Sequence, residues 1–213
     1  MSKRAVVSLA TKNSRYVDGL ARLSNSLRDN ADGIDFLGFI HEAAVGSPLH
    51  ADNNYAFKVY AIQKAIDAGY TQILWLDCSV YAVAPVQPIF DLIEAQGYWF
   101  EGAGCWLNDW CNDETLSFYE IDSNSQVPMI QSGFMGFNFD SYLGKLLFTN
   151  LKLAESAGLF NGSWDNHRHD QSCMSAIIHN YGERFSHQPE YVQYAGIYDQ
   201  ILNEKIIFKC MGL

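Results

Sequence analysis

A chain of 213 residues, 48% of them hydrophobic, is long enough to bury one sizeable core and too apolar to be disordered or fibrous. Its formal charge of -10 argues against a general phosphate-backbone binder, which needs a basic face to displace counterions, so nucleic acid is not an expected partner. No apolar run reaches the roughly 18 residues of a membrane span, and the opening MSKRAVVSLATKNSR turns polar too early for a secretory signal, so a cytoplasmic protein is expected.

In chain order, AVVSLAT reads as a strand and Lys12-Asn13-Ser14 as a turn. Tyr16, Leu20, Leu23 and Leu27 then recur at helical spacing. IDFLGFIH reads as a second strand. Asp52 or Asn53 is placed to cap a helix carrying Tyr55, Val59, Ile62 and Ile66 on one face, with Gly69 at its end. QILWLDCSVYAV opens with the near-continuous apolar run of a strand buried on both faces. PIFDLIEAQG reads as a short helix and YWFEGAGCW as a strand. Residues 108–126 form an irregular polar excursion, suited to a lid or an acceptor-binding loop. MIQSGFMGFNF has strand composition, YLGKLLFTNLKLAESAG is a helix, and helical patterning returns after Asp170 with Met174, Ile177 and Ile178. IIFK near the end is strand-like. Strands alternating with helices imply an α/β fold with an open, mostly parallel central sheet flanked by helices. There is no repeat, low-complexity tract or linker, so residues 1–213 are expected to form a single domain. The five cysteines, Cys78, Cys105, Cys111, Cys173 and Cys210, are odd in number and lack zinc-site spacing, which suits reduced thiols.

The segment ILWLDCSV delivers Asp77 to the carboxyl end of an expected central strand, the edge at which open α/β sheets bind ligands. A carboxylate there wants a cation or several donors. A divalent metal chelated by a diphosphate is one such partner; a turn-forming Asp that accepts from backbone amides is the other reading.

Three stretches in order, AFKVYAIQKAIDAGYTQILWLDCSV, QSGFMGF and HDQS, resemble the A-type nucleotide-sugar glycosyltransferases. The likeness covers most of the chain in outline. It also resembles glycosyltransferase domains of large DNA viruses that build capsid-protein glycans, which would put the chain in a host cytoplasm. The resemblance implies a GT-A-like domain, with a nucleotide-binding half over about 1–105 and an acceptor- and sugar-binding half over about 106–213. It implies Mn2+ or Mg2+ as cofactor, a UDP-sugar as donor, and a glycan or glycoprotein, a capsid protein among them, as acceptor. In that family the strand ends in Asp-x-Asp; here Asp77 takes the first position and Ser79, a weaker neutral ligand, the second. Such families often complete the metal shell with a late histidine. His187 fits by order, with His167 and His169 as alternatives, and packing roles remain open for all three.

The same resemblance assigns the donor to Ala10, Thr11 and Lys12 after the first strand, to Arg15 in the following helix, to Lys58, and to Asp77-Cys78-Ser79. Arg15 and Lys58 can equally be solvated surface charges. In MIQSGFMGF, Gly133 and Gly136 would let the donor sugar approach the backbone while Gln131 and Ser132 bond its hydroxyls; a sheet bulge explains the glycines as well. Asp170 is the candidate catalytic base, with Gln171 orienting the sugar and Asp165 in reserve. As a plain structural residue, Asp170 would cap the helix that follows. Trp106 and Trp110 are candidates for stacking on acceptor sugars or for packing. Two other functions remain open: a nucleotidyltransferase, although SLATKNSRY lacks its glycine-rich loop, and a carbohydrate-binding module, to which a 14% aromatic content is suited.

Overall fold

The structure is a computed structural model that describes residues 2–194 and 205–211. The first strand, β1 (Arg4–Ala10), is buried along nearly its whole length. Its partner to one side is β2 (Asp35–Ile40), reached through α1 (Ser14–Asn30). The Asn13 side chain accepts from the Arg15 amide to start α1, whose Leu20, Leu23 and Leu27 form the buried face. Helix α2 (Phe57–Asp67) then leads to β3 (Gln72–Leu76), a five-residue strand with no exposed position.

β3 lies parallel to β1, and both are central. After β4 (Val80–Ala82) comes α3 (Gln87–Gln96), with Pro88 in its first turn. It ends at left-handed Gly97, φ 88°, where the Gly97 amide closes on the Ile93 carbonyl. β5 (Tyr98–Trp106) and β6 (Pro128–Asn138) complete the sheet in the order β2-β1-β3-β6-β5.

β6 runs antiparallel to both β3 and β5, so the sheet is mixed rather than mostly parallel. The apolar composition of these strands reported burial on two faces, and it carries no information about direction. A second sheet of three short strands is ordered β4-β8-β7, with β7 at Val192–Tyr194 and β8 at Phe208–Cys210.

Two apolar layers sandwich the main sheet. On one face α2, α5 (Tyr142–Ser156) and α6 (Asp170–Asn180) pack around Ile62, Trp75, Phe137, Leu147 and Ile177. On the other, α1 and α3 pack around Leu23, Leu74, Phe90 and Phe134. Each such side chain taken from water contributes roughly 1.5–3 kcal/mol. Gly136 permits this second contact, because a Cβ there would fall 2.6 Å from Ile93 Cδ1.

The excursion at 108–126 is more regular than its polarity suggests. It holds a short 3-10 turn (Leu107–Asp109) and α4 (Asp113–Phe118), capped by Asn112, over a small core of Leu107, Leu116, Val127 and Met129. All five cysteines are free thiols. No helix among the described residues is long and apolar enough to cross a membrane.

Candidate functional site

The chain order β1-α1-β2-α2-β3 puts α1 and α2 on opposite faces, so a cleft opens where β1 and β3 end side by side. Two adjoining cavities occupy this edge. The first, about 320 Å³, is walled by Leu9, Thr11, Tyr16, His50, Tyr55 and Phe57 and floored by Asp77-Cys78-Ser79. The second, about 440 Å³, lies over β6 and the start of α6, and is lined by Lys58, Gln131, Ser132, Asp170 and Gln171. Asp77, Ser79, Tyr55, Tyr194 and Cys210 border both.

The electrostatic centre is Lys58. Its ammonium, only 1% exposed, sits 2.9 Å from Asp170 Oδ2 and 3.3 Å from Asp77 Oδ1, and donates to the Ser132 carbonyl at 2.9 Å and to Ser132 Oγ at 3.2 Å. Burial alone would lower its pKa, but the carboxylates of Asp170 and Asp77 outweigh this and hold the ammonium above its ordinary range. Asp170 is raised by burial, with Lys58 pulling the other way. Asp170 therefore begins α6 without capping it: the N-cap is His169, and the Asp170 side chain spends itself on the lysine.

Asp77 differs in being about one-third exposed. Its Oδ1 accepts from Trp75 Nε1 at 2.8 Å, and Oδ2 lies 3.2 Å from where a Cβ on Gly133 would be. Gly133 thus keeps the space beside the carboxylate open. The irregularity of the sheet falls elsewhere, on β5 around Gly102.

Tyr55 and His169 both adopt left-handed backbone, φ 59° and 52°, and their rings stack at 5.4 Å. Paired bulky residues at positive φ are strained, and such strain gathers at functional sites. Here it turns Tyr55 out of the helix, where the sequence periodicity had put it, and into both cavities. Helix α2 starts at Phe57 with no side-chain cap, and Asn53 is used instead on Glu155. Burial pushes the Tyr55 phenol up to about 12, so it remains a neutral donor at physiological pH.

The structure brings most of the expected residues together. Thr11, Asp77, Cys78 and Ser79 line the first cavity, and Lys58, Gln131, Ser132, Asp170 and Gln171 the second. Ala10 is fully buried behind them against Leu20 and Cys78. Lys12 and Arg15 are exposed and line neither cavity. Gln131 is engaged at both ends: Nε2 donates to the Gly102 carbonyl at 2.7 Å and Oε1 accepts from the Tyr194 hydroxyl.

His187 stacks on Trp106 with centroids 4.3 Å apart and lines neither cavity. His167 and His169 are tied to the Leu159 and Phe160 carbonyls. Asp165 is exposed and outside both cavities. Of the two tryptophans, Trp110 lines the second cavity and Trp106 does not. The cavity-lining residues that the sequence did not mark as part of a site are Tyr16, His50, Tyr55, Phe57, Trp164, Arg168 and Tyr194. The clustering of aromatic residues and histidine over 50–57 was the available signal.

A divalent cation has a limited foothold here. Among the described residues no group of three His, Cys, Asp or Glu side chains converges to hold one. Asp77 offers an outward carboxylate oxygen, and Ser79 a hydroxyl that pairs with Cys210 Sγ at 3.4 Å. This set fits Mg2+ or Mn2+ only in the manner of ions that take one carboxylate and draw their other ligands from phosphate and water.

No protein-family profile matches the chain, and no curated protein matches it. Solved structures do: the mixed sheet with its flanking helices is a glycosyltransferase fold. One structure that shares it is the crystal structure of a glycosyltransferase involved in the glycosylation of the major capsid of PBCV-1. It aligns over 97% of this chain and 93% of its own with a TM-score of 0.55 and 16% identity, a likeness of fold.

Proposed function

We propose that this protein is a glycosyltransferase that moves a sugar, a hexose or deoxyhexose, from a nucleoside-diphosphate donor to a hydroxyl of a glycan or glycoprotein. A UDP-sugar is the expected donor, and a capsid protein is one expected acceptor, since the PBCV-1 neighbour is involved in the glycosylation of a major capsid. The observation that carries this reading is the meeting of the two cavities at Asp77, one walled by aromatic rings suited to a nucleoside and one lined by polar groups suited to sugars.

Thr11 and the flanking aromatic residues hold the nucleoside in the first cavity. Asp77 and Ser79 would hold a Mn2+ or Mg2+ ion together with the diphosphate; when bound, such an ion neutralises charge on the departing nucleoside diphosphate. Ser132 and Gln171 bond the transferred sugar over β6. Asp170 accepts the proton of the attacking hydroxyl. Lys58 keeps that carboxylate ionised beforehand, while burial makes it a stronger base than a solvated one.

The test is calorimetric titration of uridine, guanosine and cytidine diphosphates, with and without Mn2+, on the native chain and on Asp77→Asn. One nucleotide should bind in a Mn2+-dependent way, at least tenfold more weakly to the variant. Absence of binding by all three would overturn the transferase reading and favour a carbohydrate-binding module.

A further inference from the structure

The second cavity carries two basic side chains, Lys58 and Arg168, in very different circumstances. Lys58 is spoken for by Asp77 and Asp170. Arg168 forms no ion pair among the described residues. Its guanidinium carbon lies 3.9 Å from the centre of the Trp110 ring and 4.0 Å from that of Trp164, so the cation is held between two indoles. The backbone fixes this stack in place: the Arg168 amide donates to the Trp110 carbonyl and to Ser172 Oγ at 3.0 Å, and Ser172 Oγ donates to the same carbonyl at 2.6 Å.

A guanidinium packed against two indoles keeps its N–H groups as the means of reaching a ligand. These form a rigid fork of donors matched to a planar carboxylate. One donor is taken by the Trp164 carbonyl, and the others have no protein partner among the described residues. Arg168 lines the second cavity and not the first, so it faces the side where an acceptor enters rather than the nucleoside. In a chain of net charge -10, an acidic sugar would be repelled unless a local cation met it.

We infer that Trp110, Arg168 and Trp164 form an acceptor subsite for a sugar bearing a carboxylate, with Arg168 binding the acid group and the half-exposed Trp164 flanking the ring. This rests on the transferase reading for the word acceptor, but the acid preference is measurable without it. Ligand-observed NMR titrations would compare methyl glucuronoside with methyl glucoside, and methyl galacturonoside with methyl galactoside, on the native chain with and without UDP. Glucose 6-sulfate would report on a different oxyanion.

At least one uronoside should bind tenfold or more tightly than its neutral partner. That preference should fall with added salt and disappear in Arg168→Gln, while UDP binds the variant as it binds the native chain. Arg168→Lys should keep less than half of it, since a point charge lacks the fork. Equal binding of acidic and neutral sugars, no sugar binding at all, or a loss of UDP rather than uronoside affinity in Arg168→Gln would each overturn the proposal. Stronger binding of the sulfate than of either uronoside would overturn the carboxylate assignment. Failure of UDP to bind while the uronoside preference persists would instead sink the transferase reading alone.

Discussion

Replacing Lys58 by Met keeps the length and most of the volume of the side chain and removes one buried charge. What remains is Asp170, 2% exposed, with its carboxylate facing no cation, together with a Ser132 carbonyl that has lost its ammonium donor. Breaking a buried ion pair from one side costs roughly 3–5 kcal/mol, most of it from the charge left behind. In a domain of this size each kcal/mol lowers the melting temperature by roughly 2–4 °C, so a fall on the order of 10 °C is expected at neutral pH. Urea denaturation and thermal melts would measure it. Two controls give the reasoning its edge. Lys58→Met combined with Asp170→Asn should recover at least about 1 kcal/mol of the loss, because the stranded charge is gone. The single variant should also lose less at pH 5 than at pH 8: a stranded Asp170 binds its proton more tightly folded than unfolded, so the deficit fades as pH falls through its folded pKa. A single variant within about 1 kcal/mol of the native protein, or a double variant no more stable than the single, would refute the account of Lys58 as the counterion of both carboxylates.

Asp170→Asn alone should leave nucleotide affinity within about threefold in calorimetry while turnover with any accepted donor and acceptor falls roughly 100-fold or more, the contribution of a placed proton acceptor. Glu101 is 2% exposed, and burial lifts its carboxyl from the ordinary 4.5 to about 7 despite the Glu190 and Tyr191 amides it accepts from. Its folded pKa exceeds its unfolded one, so the native protein loses stability as pH rises from about 4.5 through 7, by roughly 3 kcal/mol. Glu101→Gln should therefore gain stability relative to the native chain over that interval in urea titrations at successive pH values. Gly102→Ala would set a Cβ 2.0 Å from the Ser186 carbonyl oxygen and 2.3 Å from that of His187, both backbone atoms that cannot swing away. It should cost about 2 kcal/mol or more by chemical denaturation, whereas Gly33→Ala, which meets nothing within 4 Å, should cost less and only through its positive φ.

Local patterns were legible wherever burial followed a period. Leu20, Leu23 and Leu27 fall on the inner face of α1, and the run before Asp77 is the buried strand it resembled. Asp77 could be singled out because a carboxylate at the end of an apolar strand needs a partner, and Lys58 and Asp170 through the family resemblance, yet nothing in one dimension showed that they would partner one another. The Lys58–Asp170 pair joins α2 to the start of α6, across more than half of the chain. Strand direction is set by connections, and the antiparallel placement of β6 escaped a reading based on apolar runs. Tyr55 was misplaced for a different reason. Its position fits the helical period, and only its positive φ takes it off the helix. Arg168 and Trp110 come together through bonds from the Arg168 amide and Ser172 Oγ to the Trp110 carbonyl, which leave no periodic trace.

Because β6 runs against β3, the residues it brings to the site come from the middle of a strand. Leu76 is paired with Phe134, and the Asp77 amide bonds the Gly133 carbonyl at 2.9 Å. In an all-parallel sheet the corresponding wall would be a loop. The amides of Ile130 through Phe134 should thus be among the slowest in the protein to exchange with deuterium. On the proposed reading, a sugar in the second cavity would lie between a strand wall and a wall of loop side chains. Substitutions that change acceptor choice without unfolding the protein belong on the loop wall, at Trp110, Trp164 and Arg168.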